Sequence, residues 1–155
     1  MAQIMEPGGR ERIEYGRLGE DGRVLAIQRC GDGRWVPPGG VLELTETPSQ
    51  GVAREVLQET GIKVQAEQLT SVYKNMLRGV VTLAFRCSVI GGHTHPTDEA
   101  RKVAWLTVDE AAHYVPEARA VRVTDALSDK APFVRVHDGT RRTRRTTHTA
   151  VWSDN

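Results

Sequence analysis

Hydrophobic and polar positions along the chain follow two periods, one typical of strands and one typical of helices. Strand patterns are found at 12–18, 23–30, 62–74, 78–90 and 101–106. Helical patterns are found at 48–60, 107–114 and 116–128. Strands come first, then one helix, then strands again, and helices come last. This order predicts an α+β fold or a layered α/β/α domain rather than repeated βαβ units.

The helix predicted at 48–60 has recognisable ends. Thr47 is a candidate N-cap, Pro48 suits the first turn, and Gly61 stands where a helix often ends on glycine. Its apolar stripe is predicted to consist of Val52, Ala53, Val56 and Leu57. The Gly- and Pro-rich stretch 31–51 before it is predicted to be a long loop, and such loops are usually functional.

The length and charge of the chain narrow the class of protein. A chain of 155 residues fits one domain, which we place at 1–136, followed by a basic tail at 137–155. The net charge of +1 and the absence of a long apolar run give no reason to expect specific nucleic-acid or membrane binding. Cys30 and Cys87 form no paired motif, which favours reduced thiols in a cytoplasmic protein.

Two carboxylates in the predicted helix suggest a metal site. Glu55 and Glu59 lie one turn apart, so the repulsion between their like charges destabilises the helix. Both also lie in the C-terminal half of the helix, where the helix dipole is negative and disfavours a carboxylate. A compensating cation is therefore expected, and Arg54 is predicted to point elsewhere. Carboxylates without clustered Cys or His favour Mg²⁺ or Mn²⁺. On these two residues alone, a solvated acidic face stays an open alternative.

The residues around this pair carry a family resemblance. From Gly40 to Ile62 the chain has the sequence GVLELTETPSQGVAREVLQETGI, preceded by WVPPG. It resembles the Nudix box, whose matching positions here are Gly40, Glu46, Arg54, Glu55, Val56, Glu59, Gly61 and Ile62. Gln58 departs from the box, because it replaces the first Glu of a Glu-Glu pair. The resemblance implies a Nudix-type α/β/α sandwich with a mixed central sheet.

The resemblance also implies the chemistry. It indicates Mg²⁺-dependent hydrolysis of a diphosphate linkage in a nucleotide-type substrate, with Mn²⁺ as the alternative ion. Glu55 and Glu59 would hold the metal, helped by the backbone carbonyl of Gly39, and the amide oxygen of Gln58 is an additional candidate ligand. Because Gln58 lacks a charge, we expect fewer or weaker metal ions than in a complete box.

Four further box residues would support this site. The resemblance implies that Glu46 and Arg54 form a pair that orients the loop against the helix and steadies Glu55. Gly40 and Gly61 complete the structural set. An ordinary surface ion pair is the alternative for Glu46 and Arg54.

Residues beyond the box supply candidates for the remaining roles. Glu99, next to Asp98 in a polar loop, is the preferred general base or extra ligand, and a solvated loop carboxylate is its alternative. His93 and His95 are expected to be polar loop residues rather than ligands. Tyr73 and Arg78 are candidates for substrate contacts, with strand-surface roles as the alternative.

The substrate itself is less defined. Near residues 78 and 79 the chain lacks the proline or tyrosine that marks two Nudix subfamilies, which leaves nucleoside triphosphates or nucleotide sugars as suitable substrates. A regulatory or nucleotide-binding domain without catalysis is the second hypothesis. A Nudix-fold isomerase, which would need its own Cys and Glu pair, is the third. Assembly into a homodimer stays open.

Overall fold

The computed structural model describes residues 11–15, 22–130 and 132–138, with side chains from residue 22 onward. Its elements are β1 (Glu11–Tyr15), β2 (Val24–Arg29), β3 (Trp35–Val36), β4 (Gly39–Val41), α1 (Pro48–Thr60), β5 (Ile62–Asn75), β6 (Val80–Gly92), β7 (Ala100–Leu106), α2 (Val108–Tyr114), α3 (Glu117–Leu127) and β8 (Phe133–His137). None of the described helices is long and apolar enough to span a bilayer.

The strands form two sheets. The larger sheet has the order β4-β1-β6-β5-β8, and the smaller has the order β3-β2-β7. In the larger sheet, β1 runs parallel to β6 and β5 runs parallel to β8, whereas the other pairs are antiparallel. The sheet is therefore mixed, and the expected α+β class is confirmed.

The buried strand β2 shows how the layers are arranged. Leu25 packs with Val52 and Val56 of α1 in one apolar cluster. Val24 and Ala26, which point to the opposite face, pack with residues of α2 and α3 in a second cluster. Because helices cover both faces, the strand is apolar at successive positions instead of alternating. The arrangement is the expected α/β/α sandwich.

The ends of α1 follow from local chemistry. The Thr47 hydroxyl accepts a hydrogen bond from the backbone of Gln50, whose side chain in turn binds the Thr47 backbone. Gly61 ends the helix with a left-handed φ of 80° and donates its N–H to the Leu57 carbonyl at 2.9 Å. Both predicted ends are confirmed. The predicted apolar stripe is wrong at Leu57, which is 42% exposed because the core lies on the side of Val56.

Two parts of the fold differ from the sequence expectations. The predicted loop 31–51 contains the short strands β3 and β4, which are too short to give a periodic pattern. The strand β8 was not predicted, although FVRVH alternates apolar and polar residues. Its last residue, His137, is buried, so the strand reaches the first position of the expected tail. Residues 139–155 of that tail lie outside the described residues.

Candidate active site

An open cleft of about 880 Å³ runs along one side of α1. Its wall contains Glu55, Gln58 and Glu59 from α1, together with Asp98 and Glu99 from the loop before β7. The fold therefore brings the three predicted catalytic carboxylates, which are up to 44 positions apart in sequence, to a single cavity.

Arg54 organises the part of the cleft nearest the start of α1. Its guanidinium donates to both Glu46 oxygens, at 2.9 and 2.6 Å, and to the Val41 carbonyl at 3.1 Å. The same group donates to Glu55 at 2.7 Å and to the amide oxygen of Gln58 at 3.1 Å. The expectation that Arg54 points away from the carboxylates is wrong, because its long side chain folds back along the helix.

These contacts change the proton affinity of the groups involved. The two hydrogen bonds from Arg54 are the main reason that the pKa of Glu46 is lowered to about 2. The pKa of Arg54 is raised, mainly by Glu46 and further by Glu55. The Glu46 and Arg54 side chains are mostly shielded from solvent, which strengthens a bidentate ion pair such as theirs. The pair is therefore charged at neutral pH and fixes the segment before α1 to the helix.

Backbone atoms of β4 approach the two α1 carboxylates closely. The Gly39 N–H donates to the carboxylate of Glu59 at 2.7 Å, and Glu59 is buried. A Cβ added to Gly40 would overlap the carboxyl group of Glu55, so the Glu55 side chain would have to move away from the strand. Glycine at position 40 thus lets Glu55 lie against the strand, and the Gly39 amide orients Glu59.

The donor atoms of the cleft suit a hard divalent cation. Carboxylate and amide oxygens are available from Glu55, Glu59, Gln58 and Glu99. The described residues contain no group of three or more Asp, Glu, His or Cys side chains arranged around one point. Mg²⁺ does not require one, because it is usually bound through one or two carboxylates and keeps several waters for phosphate oxygens to replace.

Tyr73 does not lie where substrate contact was predicted. Its ring is buried in the interior, 1% exposed, with the Arg122 guanidinium 4.7 Å from the ring centroid. Its hydroxyl donates to Asp125 of α3 at 2.6 Å, and burial, followed by this bond, raises the pKa of Tyr73. The strand face that carries Tyr73 is covered by α3, so the side chain is not part of the cleft wall.

Three other candidates also lie outside the cleft wall. Arg78 occupies the turn between β5 and β6, where its N–H donates to the Asn75 side chain at 3.1 Å. His93 and His95 lie beside Gly61 at the end of α1, and a ring nitrogen of His95 is 3.0 Å from the Pro96 carbonyl. Their positions agree with the expectation that the two histidines are loop residues.

The cleft also contains residues that no sequence motif marks, among them two arginines and a cysteine. Arg29 and Cys30 line it from the end of β2, and Arg119 lines it from the first turn of α3. Cys30 is a free, exposed thiol, whereas Cys87 is a free, buried one. No motif surrounds Arg119, so only the packing of α3 reveals its place.

Comparison with known proteins agrees with this geometry. The NUDIX domain family model matches residues 15–127. A MutT-like protein of Streptomyces ambofaciens is 54% identical over 120 residues, which cover 77% of this chain and 78% of that protein. An ADP-ribose pyrophosphatase of Methanocaldococcus jannaschii is 30% identical over 101 residues, which cover 61% of this chain and 60% of that protein.

Solved structures show the same fold. A NUDIX hydrolase from Nitrosomonas europaea aligns with a TM-score of 0.73 at 20% identity, over 87% of this chain and 83% of that one. An ADP-ribose pyrophosphatase from Streptococcus suis aligns with a TM-score of 0.69 at 19% identity, over 83% and 98%. The expected Nudix-type sandwich is thereby confirmed. The chain belongs to the Nudix family of hydrolases.

Proposed function

We propose that this Nudix pyrophosphohydrolase cleaves a diphosphate linkage in a nucleotide-type substrate, such as a nucleoside triphosphate or a nucleotide sugar, with Mg²⁺. The observation that carries the proposal is that Glu55, Glu59 and Glu99 line one cleft. The relative from Methanocaldococcus jannaschii, described as an ADP-ribose pyrophosphatase, supports the bond type. A cytoplasmic location, where such nucleotides are plentiful, is part of the same proposal.

The metal-binding role falls to residues of α1 and β4. Glu55 and Glu59 would hold Mg²⁺ through carboxylate oxygens, with the Gly39 carbonyl and the Gln58 amide oxygen as further candidates, since all four residues line the cleft. When bound there, Mg²⁺ neutralises phosphate charge and lowers the pKa of the attacking water. Arg54 and the Gly39 amide orient the two carboxylates, because each donates a hydrogen bond to one of them.

Glu99 is proposed as the general base. Its carboxylate removes a proton from the water that attacks phosphorus, which leaves the water as the stronger nucleophile hydroxide. The loop that carries it is tied to the turn after β2, since the Cys30 N–H donates to the Glu99 carbonyl at 3.0 Å. Such a backbone tie leaves the Glu99 carboxylate available to the cleft.

Arg29 and Arg119 are proposed to hold the substrate phosphates. Five acidic side chains, Glu43, Glu55, Glu59, Asp98 and Glu99, line the cleft and repel a polyanionic substrate. Three arginines on the same wall carry positive charge, namely Arg54, which binds Glu46, Arg29, which lies 3.6 Å from Asp32, and Arg119. A guanidinium group binds two phosphate oxygens at once, which both attracts and orients a diphosphate.

A second candidate function rests on Gln58. This residue is neutral and accepts a hydrogen bond from Arg54, so the site has one carboxylate fewer than a complete box. A domain that binds nucleotides with weakened or no hydrolysis is consistent with that loss.

Assays that separate and detect the phosphorylated products of diphosphate cleavage distinguish the two functions. The wild type is tested with Mg²⁺ on nucleoside triphosphates, nucleotide sugars, ADP-ribose and dinucleotides, beside Glu55→Gln, Glu59→Gln and Glu99→Gln. We expect each variant to lose about 100-fold or more in kcat on the preferred substrate. The control Glu67→Gln makes the same chemical change on the exposed surface of β5 and should keep full activity.

The contrary result is equally specific. A wild type that turns over no member of the panel faster than Glu59→Gln contradicts hydrolysis. Nucleotide binding that persists in that wild type, measured by calorimetry, then identifies the binding domain.

A further inference from the structure

The loop at 93–99 joins β6 to β7 and carries the proposed base, Glu99. Most of its residues are exposed and none belongs to a helix or strand. A catalytic group must nevertheless be held within about 0.5 Å of its productive position. Contacts between this loop and the structured parts of the domain therefore decide where Glu99 lies.

The first such contact is with the C-terminal end of α1. The last carbonyls of a helix have no partner within it and must find one elsewhere. The Thr60 carbonyl accepts a hydrogen bond from the His95 N–H at 3.1 Å. The Glu59 carbonyl accepts one from the hydroxyl of Thr97 at 3.4 Å. The loop thus caps the helix at the residue whose side chain enters the cleft.

Two glycines allow the loop to approach the helix so closely. A Cβ on Gly61 would lie 2.5 Å from the His93 carbonyl and from the His95 ring. A Cβ on Gly92 would overlap the Gly61 carbonyl. Both glycines also have a φ of 80°, which other residues rarely adopt. The backbone of the loop therefore packs directly against the backbone at the C-terminal end of α1.

Thr97 is bonded to the turn that carries Glu99 as well. Its hydroxyl accepts a hydrogen bond from the Ala100 N–H at 3.1 Å, and its own N–H donates to the Ala100 carbonyl at 2.9 Å. Asp98 and Glu99 are the two residues enclosed by this turn. One hydroxyl group therefore joins the turn that carries Glu99 to the helix end that carries Glu59.

We propose that Thr97 is a positioning residue, whose hydroxyl holds Glu99 in a fixed place relative to Glu59. The inference rests on the proposed function, because it concerns the base of that reaction. The hydroxyl is the group that matters, so serine should serve in its place and valine, of similar shape, should not. The hydrogen bond from the Cys30 N–H to the Glu99 carbonyl does not involve this hydroxyl, so we expect the loop to stay folded when the hydroxyl is removed.

Steady-state kinetics on the preferred substrate test the proposal. We expect Thr97→Val to lower kcat about 10- to 100-fold, since misplacing a reacting group by about 1 Å costs that much. KM should stay within about twofold, because substrate contacts are unchanged. Thr97→Ser should restore kcat to near the wild-type value. Thr124→Val is the matched control, because it removes a hydroxyl that is bonded to Val121 on the exposed side of α3. It should leave kcat and KM unchanged.

A double-mutant cycle shows whether Thr97 acts through Glu99. In the Glu99→Gln background, Thr97→Val should cause no further loss, because the group that it positions is already gone. Should Thr97→Val fail to fold, Thr97→Ala removes the same hydroxyl and takes its place. An unchanged kcat in the hydroxyl-free variant, failed rescue by serine, or full additivity with Glu99→Gln each overturns the proposal. These results require an active wild type, whereas an inactive wild type overturns the proposed function itself.

Discussion

Gln58 is held by a hydrogen bond of 3.1 Å from Arg54, and the same nitrogen of Arg54 also donates to Glu55. The side chain at position 58 thus shares a cation with a proposed metal ligand. Glutamine takes this place without adding a charge, whereas glutamate would add one beside the proposed metal site. The position therefore controls how much negative charge the cleft offers to a divalent ion.

Gln58→Glu is expected to tighten the Mg²⁺ dependence of the reaction. One more negative charge in a solvent-exposed site contributes about 1 kcal/mol, which corresponds to a Mg²⁺ midpoint about fivefold lower. The first measurement is a titration of activity with Mg²⁺. The second measures the binding of Mn²⁺ to the protein directly, without substrate.

Gln68→Glu adds the same charge on the exposed surface of β5 and serves as the control. An unchanged midpoint in Gln58→Glu would place this position outside the metal shell.

At the scale of elements, Arg54 connects α1 to the segment that precedes it. Its guanidinium binds Glu46 through two hydrogen bonds and also reaches the Val41 carbonyl at the end of β4. Strand, connecting segment and helix are therefore joined at one charged group. Because the Arg54 guanidinium stays charged, the strength of its ion pair with Glu46 depends on the protonation of Glu46.

The Glu46–Arg54 ion pair predicts that the stability of the fold depends on pH. The pKa of Glu46 is lowered from 4.5 to about 2 in the folded protein, so its contribution is complete above pH 4.5. It is then lost as the pH falls from 4.5 toward 2. We expect Glu46→Gln to lower the free energy of unfolding by roughly 1 kcal/mol at pH 7 and by much less near pH 2.

Urea denaturation at a series of pH values measures this difference. Glu67→Gln, an exposed carboxylate on β5, should show no comparable trend. A destabilisation by Glu46→Gln that is the same at pH 7 and near pH 2 would contradict the assigned cause.

For the molecule as a whole, a buried polar network joins three elements around Asp125. Asp125 of α3 accepts hydrogen bonds from Tyr73 of β5 and from Arg135 of β8, each at 2.6 Å. The Asp125 contact raises the pKa of Arg135, which keeps the pair ionic. The network fastens the last strand and the last helix to the long central strand, away from the cleft.

Tyr73→Phe is expected to destabilise the fold and leave catalysis intact. It removes a buried hydrogen bond to a carboxylate, which costs about 1–3 kcal/mol. Chemical denaturation gives that cost, and kcat/KM should stay within about twofold of the wild-type value. Tyr114→Phe, at an exposed position on α2, is the control for loss of a hydroxyl. A large rise in KM for Tyr73→Phe would instead restore the substrate-contact role predicted from sequence.

The parts of the molecule that the sequence predicted are those determined by local chemistry. The ends of α1, the long strands and the pair Glu55 and Glu59 depend on spacing within a few turns, which the sequence displays directly. The place of Tyr73 depends on which face α3 covers, and that of Arg119 depends on where α3 packs. Such contacts join residues far apart in the chain, so periodicity and motifs do not report them.

The hydrogen bond from the Gly39 amide fixes the Glu59 side chain when the chain folds. A glutamate side chain that is free to rotate loses about 1.5–2 kcal/mol of conformational entropy when it is immobilised. Here that loss occurs when β4 settles against α1, before any ion arrives. Ion binding at the proposed metal site would then not have to immobilise Glu59, so the affinity of that site would depend on the fold of the loop as well as on the ligands.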